Sequence, residues 1–475
     1  MSGNGANTAL RELLDDAEMT NMALGRAVVA AGAREGTHLG TNTTAVRRML
    51  EGCQPWWPVP RLVAAVLAER LQREVSVTEC GFADRSPLAE DPYDGLRCAG
   101  TLEGTVCTVV ELSGRDMRRR RFLLGSAFSV AAFAEPALVA LTVPPAQITV
   151  RAGGLRVGMV DVQVFTEHIT HLDKLGHEYG SGRVRVEMVQ LLHREANQLV
   201  HGSYSEKVGR ALLSVVARAT KSAGFMSSDA GRHPLAQRYY IQGLDLAMRA
   251  GDRQCAADIL QEAARLTVRI GENAPAGQDM VRYGRQAVAL ARSGLTIAEG
   301  TATPALVAKL HAVEARGFAL LGDVRETRHA VLAAQRCYET VSPEDAALFY
   351  TLNGFGGDLG ACLSGIGDTE QALTFGTMAL NGCEPGIVRG RCLTQANLAI
   401  THLRGRDREQ AAAFGRDALR TADTLDSTIV LERLRTLQRR VHPLRSASPH
   451  LAELHERITS HLDRTARQRP NHMAL

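Results

Sequence analysis

The chain has 475 residues, long for a single hydrophobic core, so two or three folding units are expected. Its formal net charge of +4 is small for that length and selects no class of partner, and 51 of the 55 basic residues are arginine, a skew that reads as a GC-rich genome more than as a binding surface. The nine cysteines are odd in number, scattered and never in Cys-x-x-Cys spacing, which argues against a disulfide framework or structural zinc and reads as buried apolar fillers in a reducing cytosol.

In chain order, Thr8 is placed to cap a first helix with Leu10, Leu13, Leu14 and Ala17 inward, and Thr20 to cap a second with Ala23, Leu24, Ala27 and Val28 inward. A loop punctuated by Gly32, Gly36 and Gly40 leads to a third helix, whose buried stripe is Val46, Met49 and Leu50. Thr43, Thr44, Arg47 and Arg48 are left for solvent or a ligand. Threonine offers a hydroxyl and a methyl to base edges, and arginine can fork onto guanine or pair with phosphate. Gly52 stops this helix, and Pro55 and Pro58 keep it stopped. A fourth amphipathic helix is predicted over Arg61 to Leu71, and Ser76 with Glu79 forms a capping box for a last short turn.

Thr20-Asn-Met-Ala-Leu24 and Thr43 to Gly52, within the span Ala9 to Cys80, resemble the Xre/Cro-type helix-turn-helix family. The resemblance implies that Thr20 and Asn21 touch phosphate, while Thr43, Thr44, Arg47 and Arg48 approach double-stranded DNA along the third helix. Two departures bear on docking: the loop before the third helix is longer than the usual tight turn, and Leu50 stands where an acidic residue is usual. Residues 1–80 carry eight Arg and no Lys against nine acids, a net charge of −1, so the basic footprint of a DNA binder is absent. A plain helical bundle that binds protein is the alternative.

Residues 82–145 read as a linker. Pro87, Asp91, Pro92, Asp94 and Gly95 mark its start and Pro144-Pro145 its end. Thr105 to Val110 could be a short strand, but nothing nearby offers a strand partner, so a helix is favoured over 101–114. Residues 117–134 imitate a twin-arginine export signal, with Arg119-Arg120-x-Phe122-Leu123 and an apolar run. Such a signal is read near a free amino terminus, and Glu135-Pro136 interrupts the run before it could span a bilayer. A buried helix over Phe122 to Phe133 in a cytoplasmic, membrane-free protein is therefore expected. The basic cluster Arg115 and Arg118 to Arg121 either supplies the positive charge the first domain lacks or is a solvated helix end.

Residues 146–442 read as a succession of amphipathic helices carrying an internal repeat. Segments 230–236, 321–327, 366–372 and 405–411 align on a turn and the helix after it, with a degenerate fifth near Gly277 to Met280. Their steps of about 39–47 residues mean stacked helical hairpins. In the clearest unit, Gly360 and Ala372 allow two helices to approach closely, Leu363 and Phe375 fill the gap, and Gly367-Asp368 makes the turn. This array resembles the tetratricopeptide repeat with a longer step. Such arrays present a concave face to a peptide, a protein or a second subunit, and the candidate groove residues are Arg238, Tyr239, Arg282, Arg316, Asn353 and Asn397. Residues 443–475 are expected to form a last helix and a disordered tail.

No phosphate-loop, nucleophile-elbow or His-Glu-x-x-His motif occurs. His168, His171, His177 and Asp173 share a segment but read as ordinary helix-surface residues, so neither metal, cofactor nor enzymatic activity is expected. The expected fold class is all-α: a helix-turn-helix bundle over 1–81, a helical linker and a TPR-like α-solenoid. With the intervening Arg-Arg-Phe-Leu-Leu-Gly-Ser-Ala-Phe segment, that order resembles the NsdA-type Xre/TPR regulators of filamentous actinobacteria. The resemblance implies a homodimeric transcriptional regulator, a repressor of developmental or specialised-metabolite genes.

Overall fold

The computed structural model describes residues 6–34, 39, 41–53, 55, 58–82, 95–118, 128–142, 156–274 and 280–468. Among them the chain is all-helical, with 21 α-helices and a single isolated bridge between Arg156 and Ser203. It divides into two compact units, Met1–Asp94 and Gly95–Leu475.

The first unit contains α1 (Thr8–Asp16), α2 (Asn21–Arg34), α3 (Thr43–Leu50) and α4 (Val59–Leu71). Their inward residues, including Leu10, Leu24, Val28, Val46, Leu62, Val63 and Leu67, form one apolar core, closed by Cys80 and Phe82. Thr20 caps α2 as expected, its Oγ1 accepting from the Ala23 N–H at 3.2 Å. The cap of α1 is Asn7 and not Thr8: Asn7 Oδ1 accepts from Leu10 N–H at 3.0 Å, and the expected frame was one residue late. The Ser76–Glu79 capping box forms reciprocally, at 3.1 and 3.4 Å. Gly52 ends α3 in the left-handed region at φ 93°. Gly36 and Gly40 lie outside the described residues.

The second unit begins earlier in the chain than its repeats. Its elements are α5 (Leu102–Arg118), a 3-10 turn (Val130–Phe133), α6 (Ala134–Thr142), α7 (Met159–Tyr179), α8 (Ser181–His201), α9 (Glu206–Asp229), α10 (His233–Ala250) and α11 (Arg253–Asn273). Then come α12 (Met280–Ala298), α13 (Pro304–Leu321), α14 (Val324–Tyr338), α15 (Pro343–Phe349), α16 (Leu352–Gly365), α17 (Thr369–Asn381), α18 (Val388–Arg404), α19 (Arg408–Ala422), α20 (Thr428–Val441) and α21 (Pro449–Gln468). Successive helices pair as antiparallel hairpins (α9/α10, α11/α12, α13/α14, α16/α17, α18/α19), stacked in a solenoid-like array.

The repeat turns share one mechanism. Gly322, Gly367 and Arg406 occupy the left-handed region at φ 75°, 87° and 61°, and the aspartate after each caps the next helix. Arg406 adopts there a conformation that costs a non-glycine residue of order 1–2 kcal/mol, so the turn is dictated by packing as much as by local preference. The crossing of α16 and α17 is as close as its sequence suggests: a Cβ on Gly360 would lie 3.1 Å from the Ala372 carbonyl, and Leu363 and Phe375 are buried beside it. The degenerate turn near Gly277 falls outside the described residues up to Met280, where α12 begins.

Two boundaries differ from expectation. From Gly95 onward the segment read as linker belongs to the second unit: α5 buries Val106, Val109 and Leu112 in the same apolar core as α7 to α11. Polar contacts moor it as well. Asp245 accepts from Thr105 Oγ1, Tyr239 donates to Asp116 at 3.0 Å, and Gln242 Nε2 donates to the carbonyls of Gly95 and Arg97 at 3.0 and 2.9 Å. The Pro/Asp/Gly-rich composition marks where the linker starts but not where the amphipathic pattern takes over. At the other end, α21 shares the core of α18 to α20 through Leu451, Leu454 and Ile458, so it completes the array. Residues 119–127, with the twin-arginine-like stretch and Arg119 to Arg121, and residues 143–155, with Pro144-Pro145, lie outside the described residues. No described helix is long and apolar enough to cross a membrane.

Candidate functional site

In the first unit the geometry converges on α3. Asn42 caps it, Oδ1 accepting from Ala45 N–H at 3.0 Å, and a Cβ on Gly25 would sit 3.3 Å from the Asn42 carbonyl carbon. Glycine at 25 therefore lets the start of α3 lie directly on α2. The far end is tied by Asn7, whose backbone N–H donates to Leu50 O at 2.9 Å and whose buried Nδ2 donates to Cys80 O at 2.9 Å. In the sequence, the signal for Asn7 is an Asx residue one position ahead of Thr8.

With Val46, Met49 and Leu50 buried, α3 presents Thr43, Thr44, Arg47 and Arg48 to solvent, and Thr20 at the start of α2 is also exposed. Asn21 is half-buried. Arg47 Nε pairs with Glu51 at 3.0 Å, but both side chains are more than half exposed, so the pair contributes little and leaves the guanidinium available to a phosphate or base edge. Burial, reinforced by Glu79, pushes the Cys80 thiol up to about 12, which makes it an inert filler. Cys53 and Cys107 are exposed, so the filler reading holds for only part of the nine.

In the second unit the expected partner groove is largely occupied by the chain itself. Arg238 is buried under Gly95, Tyr239 is buried with its hydroxyl on Asp116, and Asn353 is buried with Nδ2 donating to Ala379 O at 3.0 Å. Arg316 bridges Asp358 and Glu272, each at 3.1 Å. These four are corrections to the groove assignment, because each side chain is spent on an internal partner. Arg282 is exposed on α12, and Asn397 is half-buried on α18.

The covering elements are near neighbours: the segment from Gly95 through α5 lies over Arg238 and Tyr239, and adjoining hairpins enclose Asn353 and Arg316. The array also bends back on itself. Its first helices α9, α11, α13, α16, α18 and α20 form an inner layer, and α18 and α20 pack against α7 and α9. An ionic lining runs through that layer. Lys309 bridges Asp258 and Glu262 at 2.7 and 3.2 Å, Asp258 also takes Lys221, and Asp358 collects Arg265, Arg316 and the Tyr350 hydroxyl. Glu272 joins Arg316 to Arg433. Burial alone would raise the Asp358 and Glu272 carboxyls, but the facing guanidinium groups outweigh it and hold both below the ordinary range.

Where the ends meet, the Asp426 N–H donates to Tyr179 O at 2.9 Å and Gly182 N–H donates to Asp426 O at 3.0 Å. Gly180, at φ 84°, is required here, since a Cβ would fall 2.5 Å from the Asp426 carbonyl oxygen. Beside this clip Arg389 is buried against α7, α8 and α9. Of the sequence-picked His168, His171, His177 and Asp173, two have defined partners: Asp173 accepts from Ser222 at 2.9 Å, and His177 Nδ1 accepts from Arg389 Nη2 at 2.9 Å.

Residues 10–83 match the family described as the SP15 N-terminal domain, a stretch that takes in α1 to α4 and the closing turn. Comparison with curated proteins gives no match.

Proposed function

We propose that the chain is a DNA-binding transcriptional regulator in which α3 reads the major groove and the helical array serves dimerisation or partner sensing. The observation that carries this reading is the exposed row Thr43, Thr44, Arg47 and Arg48 on a short helix that is capped at one end, tied at the other and seated directly on α2. Thr20 and Asn21, at the start of α2, are the phosphate-side contacts of the same reading. A repressor of developmental or specialised-metabolite genes in the cytoplasm is the form suggested by the resemblance to Xre/TPR regulators.

The net charge of −1 in residues 1–80 favours one rival, an adaptor whose first unit binds protein. Under the regulator reading, duplex affinity depends on two first units acting together, so the oligomeric array is part of the DNA-binding machinery. A fluorescence-anisotropy titration of the full chain against genomic fragments enriched by pull-down, repeated across salt concentrations, separates the two. The regulator binds duplex with an affinity that falls steeply as salt rises. Absence of any duplex affinity at low salt overturns it.

A further inference from the structure

Three apolar cores run through the array among the described residues: one from α5 to α13, one from α12 to α17 and one from α18 to α21. Where the ends of the array meet, α18 and α20 lie against α7 and α9, and the first and last of these cores stay separate. What crosses the seam is polar. Besides the Tyr179–Asp426–Gly182 backbone clip, Glu432 faces Arg269 and His233 at 3.4 and 3.5 Å, and Arg433 reaches Glu272 at 3.1 Å. Buried ion pairs return little net free energy once desolvation is counted, so such a seam opens far more readily than an apolar junction.

At its centre is a pocket with the chemistry of guanidinium recognition. Arg389 Nη1 donates to Gly176 O at 3.0 Å, Ser181 Oγ at 3.3 Å and Asp229 Oδ2 at 3.0 Å. Its Nη2 donates to His177 Nδ1 at 2.9 Å, and its guanidinium carbon lies 4.6 Å from the centre of the Phe225 ring. A carbonyl, a hydroxyl, a carboxylate, an imidazole acceptor and an aromatic face thus converge on one planar cation, all supplied by α7, α8 and α9. The acceptors are held in part by their own side of the seam: Asp229 and Ser181 are fully buried in the closed array and Asp229 also accepts from Ser181 N–H at 3.0 Å, while Ser427 Oγ donates to Asp229 from the α20 side.

We propose that this pocket is an arginine-binding site, filled in the closed array by Arg389 of the same chain and open to an arginine side chain of a partner when the polar seam parts. Lysine fits it poorly, because a single ammonium nitrogen cannot sit both against Asp229 and Gly176 and against His177, and it has no flat face to lie over Phe225. The proposal deepens the partner-sensing part of the proposed function. Duplex binding enters none of the readouts below, so failure of the DNA reading leaves this test intact.

Hydrogen exchange of the full chain, read at peptides covering 176–182 and 423–428 against α13 as an internal core, tests it. Arg389→Ala is expected to speed seam exchange about tenfold or more while α13 keeps its protection. Methylguanidinium chloride at low millimolar concentration then restores seam protection saturably, and methylammonium chloride does not. Asp229→Asn in the same background abolishes that rescue. A Gly-Arg-Gly peptide restores protection where Gly-Lys-Gly does not. Arg389→Lys, a milder change, leaves the seam open. Equal effects of the two cations, an unchanged seam in Arg389→Ala, or a closed seam in Arg389→Lys each overturn the arginine site. Rescue by methylguanidinium without rescue by the arginine peptide overturns its availability to a partner.

Discussion

The backbone N–H of Asn7 donates to the carbonyl of Leu50 at 2.9 Å, so the residue that starts α1 also closes the end of α3. The exposed row on α3 is held by both its ends, which is what a helix presented to a ligand requires.

Asn7→Ala removes the α1 cap and leaves the buried Cys80 carbonyl without its donor. The expected loss is about 2–3 kcal/mol from the first unit. Urea unfolding followed by hydrogen exchange in α1 to α4 measures it, and Asn7→Asp restores the cap but not the Cys80 bond. A loss under about 0.5 kcal/mol would refute the tie.

Arg47→Ala changes stability by less than about 0.5 kcal/mol, because the side chain is 76% exposed and its partner Glu51 is 56% exposed. Under the proposed function it weakens discrimination at one base position by about 1–3 kcal/mol. Competition binding between operator and scrambled duplex reads the difference.

Gly356→Ala tests the crossing of α16 on α17, where a Cβ would meet the Phe375 carbonyl at 2.6 Å and Ala379 Cβ at 3.0 Å. The obstacle is backbone, which no rotamer change relieves, so a cost of about 1–3 kcal/mol to the array is expected. Thermal unfolding by circular dichroism checks it, and a midpoint equal to wild type would contradict the packing.

Acid should destabilise the array in two stages. Much of His177 faces solvent, yet its ring nitrogen is packed into the array; that burial, and then the Arg389 cation, hold its pKa down to about 3 against 6.5 for the free side chain. The unfolded chain therefore binds a proton that the folded chain refuses. Stability is full above about pH 6.5 and declines as pH falls below it. His461, whose pKa is lowered chiefly by burial, contributes in the same direction. A second decline begins near pH 4. For Asp229, Asp358, Glu272 and Glu432, burial acts upward, but facing cations and hydrogen bonds outweigh it and keep the folded carboxyls below their ordinary values. Chemical denaturation at stepped pH follows both stages, and His177→Gln shrinks the first while leaving the second.

Much of this was legible in the chain. Leu10, Leu24, Val46, Met49 and Leu62 announce buried helix faces by their spacing, and the recurrent turn before Asp323, Asp368 and Asp407 announces the hairpins. Those features depend on residues three to seven apart or on a repeated local conformation, so they are written in sequence order. The groove residues are not legible, for the opposite reason. Arg238, Tyr239, Arg316 and Asn353 are polar residues on helices as solvated ones would be, and nothing local tells that Gly95, Asp116, Asp358 or Ala379 covers them.

The helical character of both units, their order and the turns of the repeat follow from local periodicity and backbone preference. That Arg389 meets Asp229 across 160 residues, and that the array closes, is set by packing between distant hairpins. Such a meeting depends on the accumulated bend of successive hairpins, which no single hairpin encodes.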